Sequence, residues 1–175
     1  MPPFTSVSHT PDTQAFDPYY LKVRLTSNLD TDTKTPDDFV VTGMTTVFTA
    51  PYDNNNTDWN SNRWDCPEAG IYRITGQVFV DMLDGEDKVL EFAPKLLKND
   101  TEVFKTTLLV RIGTASDQND DDIHQIAKQI DTLVQMSAND HIKLAFSGTG
   151  SSSKFRINGH STNDETFLCI ERVAK

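Results

Sequence analysis

The run Gly-Ile-Tyr-Arg-Ile-Thr-Gly-Gln-Val-Phe-Val at positions 70–80 is the feature that most constrains the fold of this chain. It is rich in β-branched and aromatic residues, which favour strands. Arg73, Thr75 and Gln77 alternate with apolar side chains, so one face would be apolar and the other largely polar. This pattern predicts a half-buried β-strand rather than a helix.

Shorter runs of the same kind recur along the chain and are separated by segments rich in Asn, Asp, Gly and Ser. Because these runs are short and evenly spaced, they predict an all-β sandwich or barrel. The further candidate strands are residues 20–25, 39–48, 89–97, 103–112, 142–146, 155–157 and 167–173.

One segment, residues 123–136, fits two secondary structures. As a helix it would be capped by Asp122 and would place apolar residues at helical spacing. As a strand it would place apolar residues on one face, with Lys128 and Thr132 between them. The helix pattern uses Ile123, Ile126, Ile130, Leu133 and Val134, and the strand pattern uses Ile126, Ile130, Val134 and Met136. The residues alone leave both alternatives open.

Two parts of the chain differ in composition. Residues 1–18 hold several prolines and Ser/Thr residues, which predicts an extended or disordered N-terminal arm. Residues 19–175 contain the candidate strands and are expected to form one domain. The first residues resemble no signal peptide, so we expect synthesis in a cytoplasm.

The charge of the chain limits its partners. It has 16 basic and 26 acidic side chains, a net charge of -10. A chain of this charge is repelled by phosphate backbones, so we expect no nucleic-acid partner. No apolar run reaches the length of a membrane span, so we expect no membrane partner either.

The sequence holds no recognisable catalytic set. The four histidines show no paired-metal spacing, nothing ties a Ser or Thr to a His and an acid, and no Gly-x-Ser-x-Gly turn occurs. Cys66 and Cys169 are far apart and fit no metal or redox spacing. We expect two buried free thiols, with a disulfide as the alternative, and we expect no enzymatic activity.

An acidic segment near residue 120 is the one candidate metal site. Asp117, Asn119 and Asp121 match the first three ligand positions of a calcium-binding loop. The match then fails, because Asp122 and Lys128 occupy the positions that require Gly and Glu. A solvated acidic loop is the simpler interpretation, and weak calcium binding is the alternative. No other cofactor is expected.

Several motifs in order resemble the tumour necrosis factor and complement globular-head superfamily. They are YYLKVRL, PYDNNN, CPEAGIYRITGQVFV, LLKNDTEV, MSANDHIKLAF and TFLCIERV, which together extend from Tyr20 to Val173. Asp100 and Asn139 stand where the family has Gly, and its closing Phe-x-Gly motif is not evident. The resemblance implies an all-β, ten-strand jelly-roll sandwich, a strand rather than a helix at Ile126–Met136, and a homotrimer.

The trimer interface is expected on the strand at 70–80. That strand has large side chains on both faces, including Tyr72 and Phe79, and one face would stay exposed unless another subunit covered it. For Tyr72, the alternative is a core position with its hydroxyl at the rim.

The first functional hypothesis is a structural assembly protein of a virus particle. A trimeric jelly roll suits a capsid decoration or cement protein located in the virion, with the major capsid protein as partner. The N-terminal arm would dock through its prolines and aromatic residues. These are Pro2, Pro3, Phe4, Pro11 and Phe16.

The second hypothesis is a recognition head, either a fibre tip or a secreted, complement-like domain. Such a head would bind a glycan or a protein receptor through its loops. Trp59 and Trp64, beside the Asn-rich segment, are the candidate contacts. Their alternative role is to anchor a long loop to the domain.

Overall fold

The computed structural model describes residues 19–31, 39–50, 59–82, 88–112, 125–149 and 155–175, and these ranges contain strands but no helix. The strands are β1 (Tyr20–Leu25), β2 (Leu29–Asp30), β3 (Phe39–Val40), β4 (Met44–Ala50), β5 (Trp59–Asn60), β6 (Arg63–Asp65), β7 (Gly70–Met82), β8 (Lys88–Lys98), β9 (Thr101–Lys105), β10 (Leu108–Ile112), β11 (Gln125–Met136), β12 (His141–Thr149), β13 (Phe155–Ile157) and β14 (Phe167–Ala174).

The strands form two antiparallel sheets. In sheet I, β7 pairs along one edge with β11 and along the other with β14 and then β13. β1 and β4 continue this sheet beyond β14, and β2 lies beside β13. In sheet II, β8 lies between β12 on one edge and β9 and β10 on the other, and the order continues through β6 to β5. The result is the jelly-roll sandwich that the resemblance implied.

The core lies between the two sheets and is filled by alternate residues of each strand. In β1, Leu21, Val23 and Leu25 are buried while the residues between them are partly exposed. Phe146 lies at the centre of one aromatic group, with ring centroids 5.4 Å from Phe92 and 5.2 Å from Phe155. Burial of these side chains is the main source of stability, since each large apolar side chain contributes about 1.5–3 kcal/mol.

β7 is the central strand of sheet I, as its sequence predicted. Gly76 is required there because the β14 backbone approaches closely. A Cβ at position 76 would lie 2.4 Å from the Phe167 carbonyl oxygen. The strand can therefore pair in register with β14 only if this position has no side chain.

The segment that fitted both a helix and a strand is a strand. β11 pairs with β7 over all its residues, from Gln125 opposite Asp81 to Met136 opposite Gly70. Ile130, Val134 and Met136 face the core. Pairing with a long neighbouring strand satisfies the backbone of β11, and this tertiary interaction decides between two patterns that are locally equivalent.

Pro94 explains why the segment at 103–112 is divided into two strands. It lies inside β8, opposite Phe146 of β12, and it has no N–H to donate to a strand on the other side. β9 pairs with β8 up to Lys95, and β10 resumes the pairing at Phe92. The break between β9 and β10 lies opposite the proline.

Tight turns connect the strands at the end of the sandwich where β7 begins. Asn99 and Asp100 link β8 to β9 with φ values of 49° and 65°, and Asn139 in the β11–β12 turn has φ of 69°. These are left-handed conformations that glycine adopts most readily. They explain why the family pattern has Gly where this chain has Asp100 and Asn139.

Candidate functional site: the outer face of sheet I

The outer face of sheet I is the surface that points away from sheet II. Strand alternation places the odd-numbered residues of β7 and β11 on this face, because the even-numbered ones face the core. In β1 the outward residues are Tyr20, Lys22 and Arg24. In β14 the outward residues are Phe167, Cys169, Glu171 and Val173.

An exposed apolar patch occupies the end of this face near the start of β7. Leu133 of β11 is 63% exposed, Val173 of β14 is 40% exposed and Ile71 of β7 is 37% exposed. Leu133 lies opposite Arg73, and the next outward pair along the two strands is Gln135 opposite Ile71. Leu133 and Ile71 are therefore diagonal neighbours. Ala174 lies opposite Ile71 from the other side, which brings Val173 next to it. We call Ile71, Leu133 and Val173 the apolar patch.

Val173 is exposed because it continues the outward series of β14 after Phe167, Cys169 and Glu171, and it also lies at a β-bulge. The register between β14 and β7 shifts between Arg172 and Ala174, so Val173 has no partner in β7. Val47 in β4 and Val103 in β9 also lie where the register with the neighbouring strand shifts, and both are exposed. Three of the exposed large apolar side chains in the described residues thus lie at register shifts.

An ion pair borders the apolar patch. Arg73 donates to both carboxylate oxygens of Asp131, from Nε at 3.0 Å and from the second guanidinium nitrogen at 2.8 Å. The hydrogen bond from Arg73 lowers the pKa of Asp131 below its usual value. Both side chains are about half exposed, so the pair adds little to the stability of the subunit. Its two-point geometry nevertheless fixes the position of both groups beside Leu133.

The middle of the outer face is formed by half-buried aromatic and polar side chains. The Tyr20 hydroxyl donates to Cys169 Sγ at 3.3 Å, and burial, followed by this hydrogen bond, raises the pKa of Tyr20 to about 12. Lys22 Nζ lies 5.3 Å from the centre of the Phe167 ring, a cation–π contact. This region links the apolar patch to Phe79 farther along β7.

The two residues predicted for the trimer interface lie on opposite faces of β7. Phe79 is on the outer face and half buried, where a second subunit could contact it. The expectation for Tyr72 is wrong. Tyr72 is fully buried between the sheets, packed against Trp64 with 4.9 Å between ring centroids. The alternative core position is the correct one, because Tyr72 shares its face with Ile74 and Val78.

The two tryptophans predicted to contact a ligand are both anchored. Trp64 is fully buried, and its Nε1 donates to the Tyr19 hydroxyl at 2.7 Å, so the expectation that it is exposed is wrong. Trp59 is partly buried against the core and donates to the Met44 carbonyl at 3.2 Å. Indole rings bury a large apolar area, and here they fix the β5–β6 hairpin to the domain.

A buried polar cluster lies where the chain enters β7. The Glu68 carbonyl accepts hydrogen bonds from Cys66 Sγ at 2.9 Å and from the Tyr72 hydroxyl at 2.8 Å, and the Glu68 carboxylate pairs with buried Arg172. Burial raises the pKa of the Cys66 thiol, which makes it a poor nucleophile at neutral pH. Cys66 is buried as expected, Cys169 is half buried, and both are free. The cluster secures the entry to β7.

Some predicted residues lie outside the described ranges. They are the calcium candidates Asp117, Asn119 and Asp121 and the arm residues Pro2, Pro3, Phe4, Pro11 and Phe16. Among the described residues, no three His, Cys, Asp or Glu side chains come together as a metal site. No described segment is a helix with the length and hydropathy needed to cross a bilayer.

The sequence reasoning missed the apolar patch. Leu133 was part of the apolar pattern of the helical alternative, and Val173 was placed inside a regular strand. The alternation of side chains along a strand could have identified Leu133. Once the segment is a strand, Leu133 is at an odd-numbered position and must face away from Ile130 and Val134. The same alternation identifies Val173, which shares the outer face of β14 with Phe167, Cys169 and Glu171.

Comparison with known proteins supports the fold. No family model and no curated protein matches this sequence. Among solved structures, Eiger, a tumour necrosis factor from S. frugiperda, aligns over 90% of this chain and 94% of its own, with 11% identity and a TM-score of 0.50. Murine APRIL aligns over 89% and 99%, with 11% identity and a TM-score of 0.48. The chain thus has a tumour necrosis factor-like jelly-roll fold, which confirms the predicted fold class.

Proposed function

We propose that the protein is a non-enzymatic head domain that works by binding, and that it self-associates into a homotrimer through the outer face of sheet I. The observation that carries this proposal is the apolar patch of Ile71, Leu133 and Val173. An exposed apolar patch bordered by polar residues is typical of a protein–protein interface. The number of subunits comes from the family resemblance of the sequence motifs.

The proposed interface extends beyond the apolar patch. Full burial of a leucine side chain contributes about 1.5–3 kcal/mol, so covering the apolar patch would supply only part of a stable interface. A stable interface buries about 800 Å² per partner. The half-buried aromatic residues Tyr20, Phe79 and Phe167 extend the apolar area along the same face. The whole outer face, rather than the patch alone, is the proposed interface.

The ion pair on this face does not oppose its burial. Arg73 and Asp131 already satisfy each other within one subunit. A second subunit that covered them would bury a paired, hydrogen-bonded ion pair. The free-energy cost of burying such a pair is smaller than that of burying an isolated charge.

We place this trimer in a virus particle, as a capsid decoration or cement protein with the major capsid protein as its partner. This setting follows from the first hypothesis, in which the arm at 1–18 docks onto the capsid. Its test compares the full chain with a variant lacking residues 1–18 for binding to empty capsids. Loss of binding with retained trimer mass is expected, and equal binding by both proteins would remove the arm from the mechanism.

The second candidate is a recognition head that binds a receptor or glycan, either at a fibre tip or as a secreted domain. The likeness in fold to a tumour necrosis factor favours this class. Saturable binding to cells or glycans, without binding to capsids, would support it over the decoration role. In both candidates the net charge of -10 disfavours nucleic acid as a partner.

The decisive experiment for self-association is the Leu133→Lys substitution. It places an unpaired charge in the proposed interface, so the solution mass measured by light scattering should shift from trimer toward monomer. Circular dichroism should remain unchanged, since Leu133 has few contacts within its own subunit.

Val103→Lys is the matched control, because Val103 is a 43% exposed apolar residue on β9 of sheet II. The control should keep the trimer mass. A monomeric wild-type protein at micromolar concentration, or an identical mass for all three proteins, would contradict the proposal.

A further inference from the structure

Residues 160–165 form a short segment that crosses the outer face of sheet I at the end away from the apolar patch. We call this segment the strap. Asp164 forms an ion pair with Lys22 of β1, and Arg24 donates to the Thr162 carbonyl at 3.1 Å. Gln77 of β7 donates to the Glu165 carbonyl at 2.8 Å. The strap is thus attached to two strands of the proposed interface.

His160 holds the strap in its turn. Its Nδ1 accepts hydrogen bonds from the backbone N–H of Thr162 at 3.1 Å and of Asn163 at 3.2 Å. The Thr162 hydroxyl lies 3.1 Å from the same nitrogen. The His160 backbone N–H donates to the Leu25 carbonyl at 3.0 Å, so the residue itself is fixed to the end of β1. One ring nitrogen therefore accepts from two backbone amides of an otherwise exposed segment.

This arrangement requires a neutral imidazole. Nδ1 can accept a hydrogen bond only while its lone pair is free, with the ring proton on Nε2. Protonation would turn Nδ1 into a donor that faces two other donors. Both hydrogen bonds would be lost, and the ring would have to turn away from the strap.

His160 is the one histidine among the described residues around the strap. Histidine is the side-chain type that ordinarily changes charge between about pH 5 and 8. β7 contributes the neutral Gln77 and, opposite Arg156, the acidic Asp81. The charged side chains on the strap and on the strands around it are Lys22, Arg24, Asp30, Arg156, Asp164 and Glu165.

We infer that the strap is a pH-responsive element that neutral His160 keeps closed against β1 and β7 and that protonation of His160 releases. Release would free Lys22 and Arg24 from the strap, beside the aromatic centre of the outer face. Acidification should then weaken contacts made by that face. This second step rests on the proposed self-association, whereas opening of the strap does not.

Hydrogen exchange of the Thr162 and Asn163 amides, measured by NMR and corrected for the intrinsic effect of pH, tests the inference. Each amide donates one hydrogen bond to His160, so its protection should fall about five- to tenfold between pH 8 and pH 5. In His160→Asn the side-chain oxygen accepts at every pH, and protection should stay constant. In His160→Ala it should be low at both pH values.

The His141→Gln variant is the control, since His141 lies at the opposite end of the sandwich and should leave the response unchanged. Protection that does not change with pH in the wild type, or a pH response that persists in His160→Asn, would overturn the inference.

Sedimentation of the same proteins at both pH values separates the two proposals. A trimer that weakens at pH 5 in the wild type, but not in His160→Asn, links the strap to assembly. A monomer at both pH values would refute self-association, and the exchange data would still decide the role of the strap.

Discussion

Asp140 offers a quantitative test of how the turns at the start of β7 stabilise the fold. Its carboxylate accepts a hydrogen bond from the Ser137 backbone N–H at 2.7 Å, another from the Asn99 side chain at 2.7 Å, and pairs with Lys98 at 2.9 Å. These contacts, led by the Ser137 amide, lower the pKa of Asp140 from 3.8 to about 2. The charged carboxylate therefore joins the β11–β12 turn to the β8–β9 turn.

The size of the effect follows from the change in pKa. One pKa unit corresponds to 1.36 kcal/mol, so the lowering from 3.8 to about 2 contributes about 2 kcal/mol to the free energy of unfolding. Because the pKa is lower in the folded state, this contribution is fully present above pH 4. It is lost as the pH falls from about 4 to about 2.

The Asp140→Asn substitution removes the charge with little change in shape. At pH 7 the variant should be less stable by about 2 kcal/mol, and this difference should shrink toward zero as the pH approaches 2. Urea unfolding, followed by the fluorescence of buried Trp64, gives the free energy at each pH. Two protein concentrations should be compared, so that any dissociation of subunits is separated from unfolding.

Asp65→Asn is the control, because Asp65 pairs with Arg63 at the surface at 2.8 Å and should contribute less than about 1 kcal/mol. If the stability difference between wild type and Asp140→Asn stayed constant from pH 7 to pH 2, the hydrogen-bonded carboxylate could not be its source. A variant as stable as the wild type at pH 7 would refute the reasoning outright.

Substitutions at two further positions test the backbone. Gly76→Ala should destabilise the domain by more than about 2 kcal/mol in thermal unfolding, because its Cβ would lie 2.4 Å from a β14 carbonyl; a loss below about 0.5 kcal/mol would show that β14 can move away. Asn139→Gly should stabilise by up to about 1 kcal/mol, since the residue has φ of 69°, and Asn139→Val should destabilise by a similar amount. Equal melting temperatures for the two position-139 variants would contradict the role of the left-handed conformation.

The local sequence pattern predicted most of the strands. It did not predict which face of each strand would pack in the core and which would lie on the outside of the sandwich. β7 and β12 were predicted from alternation alone, because each has a buried face and a solvated one. β11 could be assigned only through the resemblance, since its strand and helix patterns are locally equivalent. Tertiary pairing with β7 resolves it.

The candidate site was less predictable than the fold. Phe79 and Tyr72 differ by an odd number of positions, so they cannot share a face of β7, and only one of them can be on the outside. The apolar patch depends on which face of β11 points away from sheet II and on which face of β14 carries Val173. Strand pairing determines both of these features, and no local run of residues contains them. The strap depends on contacts between residues more than 130 positions apart, such as Arg24 and Thr162.

The bulge at Val173 has a consequence for how such a protein can diverge. Because Val173 has no register partner in β7, its side chain can change without repacking Ile170 or Tyr72 in the core. Mutations at a position of this kind change the surface of the protein and leave the packing of its core unchanged. Strand bulges thus provide positions where assembly can be adjusted independently of the jelly roll. Lineages with this architecture should vary most freely in surface composition where their strands bulge.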